Sequence, residues 1–240
     1  MSVRTWVILG ATSIIANEFA HLAAQSGHAL LLIGRKKEQL EIVAADLSLR
    51  YRIDCDWICI DFGKDINQLL MIISNHPQEI DLFIAHSLML NNDQLTANSI
   101  EQLIHVNCTS TIQVIHAYWQ KKQTQHQLVF LSSVAACRGR VKNSLYGASK
   151  AAVEVYLEGL QQGASPNQHI TIARLGYIDT RMTYGQPGIF YASPPTACAK
   201  ACWHAVGAKK QTIYHPFFWR YIMSVLTYLP FFIYKRLSSL

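Results

Sequence analysis

The sequence lacks three features that would place it in other classes of protein. No apolar run reaches the roughly 20 residues that a membrane-spanning helix needs; residues 221–234 come nearest, but they number fourteen and contain Pro230. The apolar run that follows Met1 is too short for a signal peptide and enters a predicted strand directly. No basic stripe is interleaved with aromatic residues, so the formal charge of +6 does not indicate a nucleic-acid partner.

Cysteine motifs are also missing. The six cysteines include no C-x-x-C pair, and the most suggestive group is Cys198 and Cys202 with His204 nearby. Cys55 and Cys59 fall instead in an apolar, strand-like run. Because disulfides belong to oxidising compartments, we expect reduced, mostly buried thiols, no metal site and a cytoplasmic protein.

The remaining sequence alternates short apolar runs with amphipathic segments, and half of its 240 residues are hydrophobic. The predicted strands are residues 6–9, 29–33, 55–60, 82–85, 128–131, 170–174 and 212–215. The predicted helices are residues 15–25, 38–50, 66–75, 99–121 and 145–163. Uninterrupted apolar strands separated by helices are typical of a parallel sheet covered on both faces. The sequence therefore predicts an α/β, Rossmann-like, doubly wound parallel sheet of about seven strands in a single domain.

Three residues carry the predicted chemistry. Ser133 ends a strand-like run, and Tyr146 and Lys150 stand one turn apart on a predicted helix. An ammonium beside a phenol favours the phenolate and lowers a pKa of about 10 toward neutrality. Such a tyrosine can exchange a proton with a substrate hydroxyl, while Ser133 holds a carbonyl oxygen. A Tyr-x-x-x-Lys pair is also common on helices where it only packs, so its place in the fold must support the hypothesis.

The predicted fold gives that support. Ligands bind at the carboxyl ends of parallel strands, where the loops 10–16, 85–91 and 132–143 converge. In the first loop, Gly10 lets the backbone approach a pyrophosphate at a helix N-terminus, and the hydroxyls of Thr12 and Ser13 suit phosphate. Ile14 and Ala16 stand where a dinucleotide loop carries further glycines, so an ordinary strand-to-helix turn is the alternative.

With these residues the chain resembles the short-chain dehydrogenase/reductase family over residues 4–215. The resemblance implies that Ser133 orients a substrate carbonyl, that Tyr146 is the general acid or base, and that Lys150 lowers the pKa of Tyr146 and holds the nicotinamide ribose. It also implies that Asn107 bends its helix and holds a water in a proton relay. The family's Asn-Asn-Ala-Gly motif is replaced here by residues 84–87, Ile-Ala-His-Ser.

The resemblance further implies a set of nucleotide-binding residues. They are Gly10, Thr12, Ser13, Ile14, Ile15, Arg35, Asp61, Phe62, Ala85, Ser87, Tyr146, Lys150, Gly176, Ile178 and Thr180. Arg35 follows the second strand at a turn without an acidic residue, which favours the 2′-phosphate of NADP, with NAD as the alternative. Lys36 and Lys37 are interpreted as solvated lysines at a helix start.

The expected activity is NAD(P)-dependent interconversion of a secondary alcohol and a ketone by hydride transfer. The alternative is a cofactor-binding regulatory or scaffold protein with little turnover, because the glycines at positions 14 and 16 are missing. The segment between Thr180 and Thr196 contains Gly185 and Gly188 and is predicted to be a mobile lid over the substrate.

The C-terminal segment is strongly apolar. Residues 1–216 are expected to form the dinucleotide-binding and catalytic domain, and residues 217–240 an apolar helical extension. The extension is expected to pack on the cleft, on a partner subunit or on a membrane surface, the last because aromatic residues lie beside Arg220, Lys235 and Arg236. It also resembles the tails of short-chain reductases of polyprenyl-linked sugars, which implies a lipid-linked carbonyl or alcohol substrate as the alternative to a small-molecule one. The family resemblance implies a homodimer or homotetramer.

Overall fold

Seven parallel strands form one sheet in the structure, a computed structural model that describes residues 4–180 and 191–237. The strands are β1 (Thr5–Leu9), β2 (Ala29–Gly34), β3 (Cys55–Cys59), β4 (Ile80–Ile84), β5 (His126–Ser133), β6 (Gln168–Leu175) and β7 (Thr212–His215). Their order across the sheet is β3-β2-β1-β4-β5-β6-β7. Successive strands are added on one side of β1 as far as β3 and on its other side from β4 onward. The switch point, where such folds bind ligands, therefore lies between β1 and β4. The predicted doubly wound sheet in a single domain is confirmed.

Helices connect the strands. They are α1 (Ile14–Gln25), α2 (Lys37–Tyr51), α3 (Ile66–Asn75), α4 (Ala97–Ile104), α5 (Ser110–Gln120), α6 (Ser144–Gln162), α7 (Pro195–Gly207), α8 (Trp219–Tyr228) and α9 (Phe231–Tyr234). A π-helical segment, His105–Thr109, joins α4 to α5. Short 3₁₀ turns occupy Asn92–Gln94, Val134–Ala136 and Lys235–Leu237.

The core has two layers because the sheet is covered on both faces. Alternate residues of β1 point to opposite faces: Trp6 and Ile8 pack with α1, α2 and α7, whereas Val7 and Leu9 pack with α3, α5 and α6. All five residues of β1 are buried. This two-sided burial is the reason that the strands read as continuous apolar runs rather than as alternating patterns.

Two predictions about helices differ from the structure. The single helix predicted over residues 99–121 is broken into α4, the π-helical segment and α5, because Asn107 bonds to another loop within that segment. The helix α7 was not predicted, although Pro195 in its first turn is a recognised start signal. Small residues and two buried cysteines of α7 pack against α1.

The thiol prediction is correct in part. All six cysteines are free, but only Cys198 and Cys202 are buried; Cys59 is exposed and the other three are partly buried. The expectation of mostly buried thiols is therefore wrong, because β3, which carries Cys55 and Cys59, is an edge strand with one side open to solvent.

The C-terminal segment folds back onto the protein. Trp219 and Met223 of α8 are buried against Val134, beside Tyr177 and Tyr214. The opposite side of α8 is exposed. In the part of the chain that the structure describes, none of the helices combines the length and the apolar character that crossing a membrane requires.

Candidate active site

A cavity of about 940 Å³ opens at the carboxyl ends of the strands. It lies between the start of α1, the ends of β4, β5 and β6, and the start of α6. Twelve of the predicted site residues line it: Thr12, Ser13, Ile14, Ile15, Ala85, Ser87, Ser133, Tyr146, Lys150, Gly176, Ile178 and Thr180. The tertiary structure thus brings together residues that lie far apart in the sequence, as the fold prediction required.

Tyr146 is the buried phenol of this cavity. Its side chain is 7% exposed, and the hydroxyls of Ser87 and Ser133 face it from the two neighbouring loops. Burial raises the pKa of Tyr146 above its ordinary value, and the nearby hydroxyls of Ser87 and Ser133 act in the opposite direction. This direction is opposite to the expected one, because loss of hydration outweighs the two hydroxyls.

Lys150 lies one turn further along α6 and is also buried. Its Nζ donates a hydrogen bond to the Leu131 carbonyl at 2.9 Å and stands 4.7 Å from the centre of the Phe130 ring. Burial lowers the pKa of Lys150 to about 7, and the charge of Glu154 acts in the opposite direction. Burial therefore disfavours the charged form of Lys150. An amine that is only partly charged at neutral pH cannot lower the pKa of Tyr146 in the way that was expected.

Glu154 is a buried carboxylate near Lys150 that was not among the predicted site residues. It is 4% exposed, lies one turn beyond Lys150 on α6, and accepts a hydrogen bond from Arg174 Nε at 2.9 Å. Arg174 also donates to the Tyr214 hydroxyl at 2.9 Å and pairs with the half-exposed Glu158. The signal was present in the sequence, since residues four apart on a helix are neighbours and an acid at that spacing from Lys150 supports its charge.

Asn107 does not line the cavity but holds one of its loops. Its side chain accepts a hydrogen bond from Leu88 N at 2.7 Å and donates to Leu88 O at 2.7 Å and to Ser149 Oγ at 3.1 Å. Leu88 follows Ser87, so Asn107 fixes the loop that places a hydroxyl beside Tyr146. A π-helical segment interrupts the helix around this residue, where the bend was predicted. The predicted water relay stays a prediction.

Gly10 is required by a contact between loops. Its φ is +79°, and a Cβ at this position would stand 2.6 Å from His86 N. The conformation and the close approach both exclude other residues. Gly10 therefore lets β1 and β4 end side by side beneath the cavity, and it does not line the cavity itself.

Three other predicted nucleotide contacts lie outside the lining of the cavity. Arg35 is exposed at the end of β2, and the next residue, Lys36, lines the cavity instead. Asp61 accepts a hydrogen bond from Gly63 N at 2.9 Å. Phe62 is buried and stacks on His86 with ring centres 4.1 Å apart. Of the predicted lid, residues 181–190 lie outside the described residues.

The cavity has features that fit a dinucleotide. The first turn of α1 has backbone N–H groups without helical partners, and Ser13 makes no side-chain cap to them. Within the described chain, three buried atoms of residues that line the cavity, Ser87 Oγ, Ser132 Oγ and Asn143 Oδ1, have no hydrogen-bond partner. Buried polar atoms are normally paired, so all three suit a polar ligand. No group of three or more metal-binding side chains comes together among the residues at 4–180 and 191–237.

Comparison with known proteins agrees with this geometry. A family model described as short chain dehydrogenase matches residues 4–187. An uncharacterised oxidoreductase of Staphylococcus epidermidis is 26% identical over 185 residues, which cover 75% of this chain and 80% of that protein.

Solved structures share the fold. A short-chain dehydrogenase from Sphingobium yanoikuyae in complex with NADPH superposes with a TM-score of 0.82 at 22% identity, covering 89% of this chain and 88% of that one. A bulky-bulky ketone specific alcohol dehydrogenase from Comamonas testosteroni gives a TM-score of 0.80 at 21% identity, with 90% and 87% coverage. Since the family model spans most of the sequence, this chain belongs to the short-chain dehydrogenase family.

Proposed function

We propose that this short-chain dehydrogenase interconverts a secondary alcohol and a ketone with NADP, and that Tyr146 is its general acid or base. The observation that carries the proposal is the buried phenol of Tyr146, which two serine hydroxyls face at the wall of the large cavity. A phenol used only for packing would not need two hydroxyls from separate loops or a buried lysine one turn away.

The residues divide the proton chemistry among them. Ser133 Oγ, which already accepts a hydrogen bond from Ala135 N at 3.1 Å, has its hydrogen available for a substrate oxygen. Tyr146 Oη would give its proton to that oxygen when a carbonyl becomes an alcohol, and take it back in the reverse direction. When bound, the nicotinamide would supply the hydride that the carbonyl carbon gains or loses.

Lys150 has a part in the proposal through its charge. Loss of the Tyr146 proton leaves a phenolate, which a neighbouring ammonium stabilises. With a pKa of about 7, Lys150 is protonated in only part of the molecules at neutral pH. Glu154 raises that fraction, so the proposal includes Glu154 as a positioning residue for the charge of Lys150.

The preference for NADP rests on charge at the end of β2. Arg35 and Lys36 are exposed there, and Lys36 lines the cavity. Guanidinium and ammonium groups suit a 2′-phosphate, and no acidic side chain precedes Glu38 after this strand. The Sphingobium yanoikuyae dehydrogenase with the same fold was solved with NADPH, which is consistent with this choice.

The proposed substrate is a small molecule with apolar groups beside the reacting carbon. Met89, Val134, Leu175, Tyr177 and Ile178 contribute apolar surface to the cavity. The Comamonas testosteroni enzyme of similar fold is named for bulky ketones, which supports a ketone flanked by large groups. A lipid-linked substrate stays a prediction from the tail.

A scaffold protein with little turnover is the second candidate. It is favoured by the absence of glycines at positions 14 and 16, and by Ile14, which is half exposed at the cavity rim. The pKa directions point the same way, since burial favours the neutral form of both Tyr146 and Lys150. This candidate would bind nucleotide without measurable turnover.

One pair of variants tests the proposal. Tyr146→Phe removes the phenolic proton, and we expect oxidation of a panel of secondary alcohols to fall about 10²- to 10⁴-fold while nucleotide affinity is kept. The matched control is Tyr156→Phe on the same helix. Tyr156 does not line the cavity, and its hydroxyl lies 3.3 Å from His116 Nδ1. Equal rates for Tyr146→Phe and wild type would disprove the role of Tyr146. Tight NADP binding by a wild type without turnover would favour the scaffold.

Assembly as a homodimer or homotetramer is part of the proposal. Membership of the short-chain dehydrogenase family supports this assembly, and closed symmetric homo-oligomers are the common form of association. Light scattering of the purified protein tests this assembly, and a monomer at micromolar concentration would contradict it.

A further inference from the structure

The C-terminal helices present an apolar stripe to solvent. Tyr221, Val225 and Tyr228 follow one another at intervals of four and three residues, so they share one face of α8. Phe217 lies in the turn before α8, and its ring contacts that of Tyr221 with centres 5.4 Å apart. Phe231 and Phe232 extend this surface after Pro230. All six are exposed, and Tyr228 reaches 87% exposure. We call these six residues the tail stripe.

The tail stripe faces outward because the other side of α8 is fixed to the protein. Trp219 and Met223 are buried on that side. The Arg138 guanidinium donates to the carbonyls of Leu226, Thr227 and Leu229, at 3.1 Å for Thr227 and 2.7 Å for Leu229. Tyr234 Oη donates to Gly139 O at 2.7 Å. The tail is thus anchored at both ends to the loop after Ser133.

The charged side chains of the tail are all positive. Residues 216–240 contain no aspartate or glutamate, whereas Arg220, Lys235 and Arg236 are exposed beside the tail stripe. Two carboxylates, Glu154 and Glu158, line the same small pocket as Tyr228, and both pair with Arg174. The surface therefore combines aromatic residues with positive charge.

We propose that the tail stripe docks on an anionic lipid surface. Amphipathic helices with aromatic residues on one side and cations beside them lie in the interface plane of a bilayer, and aromatic rings favour that depth. With ten residues, α8 is about 15 Å long, which is half of the hydrocarbon thickness. The tail therefore lies on the surface and holds the protein there.

Charge also distinguishes lipid from a second copy of this chain. In a twofold contact the same patch meets itself, so Arg220, Lys235 and Arg236 would face the same three cations with no acidic side chain from residues 216–240 of either copy. Such like-charge contacts are unfavourable. Anionic headgroups instead complement all three cations and leave the tail stripe in the acyl boundary.

Vesicle sedimentation tests the inference with the full-length protein. Vesicles of phosphatidylcholine with about a third phosphatidylglycerol should pellet the protein at low salt, and neutral phosphatidylcholine vesicles should pellet much less of it. Each cation near an anionic surface strengthens binding roughly fivefold. The variant R220Q/K235Q/R236Q should therefore weaken partitioning by about a hundredfold while keeping nucleotide affinity.

A matched pair of variants tests whether vesicle binding depends on the tail stripe or on nonspecific adsorption of exposed apolar residues. Phe231→Ser with Phe232→Ser should release the protein from anionic vesicles, whereas Leu49→Ser with Met71→Ser, at exposed apolar positions on α2 and α3, should not. All four positions are exposed, so folding is retained in both. Wild-type protein that stays in the supernatant with anionic vesicles at low salt would overturn the inference. Loss of a dimer in the Phe231/Phe232 variant, without vesicle binding by the wild type, would assign the tail stripe to a second copy.

Discussion

Trp219 lies directly against Gly176: a Cβ placed on Gly176 would stand 1.9 Å from Trp219 Nε1. Gly176 follows β6 and lines the large cavity, while Trp219 begins α8. The C-terminal tail therefore starts on the wall of the candidate active site. Substitutions at Gly176 or Trp219 should therefore affect both the cavity wall and the tail.

Gly176→Ala should destabilise the protein because no space exists for a methyl group. Overpacking of a buried contact costs about 1–3 kcal/mol, and Trp219→Ala should cost about 3–5 kcal/mol by leaving a cavity. The double variant should be less destabilised than the sum, since the two residues share one contact. Denaturant unfolding measures all three. Gly163→Ala is the control, because nothing lies within 4 Å of its Cβ position; full additivity would contradict the contact.

Lys150 should make the stability of the protein depend on pH. Its folded pKa of about 7 is below its ordinary value of 10.5, so folding favours the neutral amine. The unfolded chain binds more protons between these two values, and stability should therefore rise as the pH increases from about 7 toward 10.5. Below pH 7 the penalty is present in full.

Lys150→Met should remove this dependence. Urea unfolding from pH 6 to pH 10 should show the wild type gaining stability relative to the variant by an amount on the order of several kcal/mol. Lys200→Met, at an exposed position on α7, should keep the wild-type profile. Parallel profiles for wild type and Lys150→Met would show that burial of Lys150 does not suppress its charge.

Glu154→Gln should affect both activity and stability. Removing this carboxylate takes away the charge that raises the pKa of Lys150, so the pKa should fall further and the alkaline limb of the activity profile should move to lower pH. Breaking a buried ion pair costs about 3 kcal/mol, here the pair of Glu154 with Arg174.

Glu158→Gln is the matched control for that variant. Glu158 pairs with the same arginine at 3.3 Å, but its side chain is half exposed, so the loss should stay below about 1 kcal/mol. If Glu154→Gln loses stability but keeps the wild-type pH dependence of activity, Glu154 stabilises the fold and does not act on the charge of Lys150.

Arg35→Asp should weaken NADP binding much more than NAD binding. The substitution removes a cation and introduces repulsion against a 2′-phosphate. Lys37→Asp, one residue beyond Lys36 and outside the cavity lining, is the control for general charge effects. Fluorescence titration with both nucleotides gives the ratio of affinities. If only Lys36→Asp changes that ratio, the phosphate contact belongs to the residue that lines the cavity.

The sheet was predictable because its strands are buried on both faces. Seven apolar runs at the right spacing predicted all seven strands to within two residues at either end. Helical periodicity predicted one helix over residues 99–121 and gave no break at Asn107, which only the family resemblance marked; the amide of Asn107 bonds to Leu88 across the fold. A hydrogen bond between residues 19 positions apart leaves no local pattern in the sequence.

The position of most proposed site residues around one cavity was also predictable, since Tyr146, Lys150 and Ser133 follow from local spacing and the carboxyl ends of parallel strands converge. The pKa directions were not. They depend on how deeply each group is buried, and burial of Tyr146 and Lys150 is decided by loops and helices that close over them.

By itself the sequence determined the parallel sheet, the spacing of Ser133, Tyr146 and Lys150, and the apolar, acid-free character of the tail. These are local properties of pattern and composition. Only the tertiary structure decided which face of the tail is buried, that Trp219 fills the space above Gly176, and that Glu154 is buried against Arg174. Those outcomes depend on contacts between distant segments, whose geometry is fixed only when the whole chain packs.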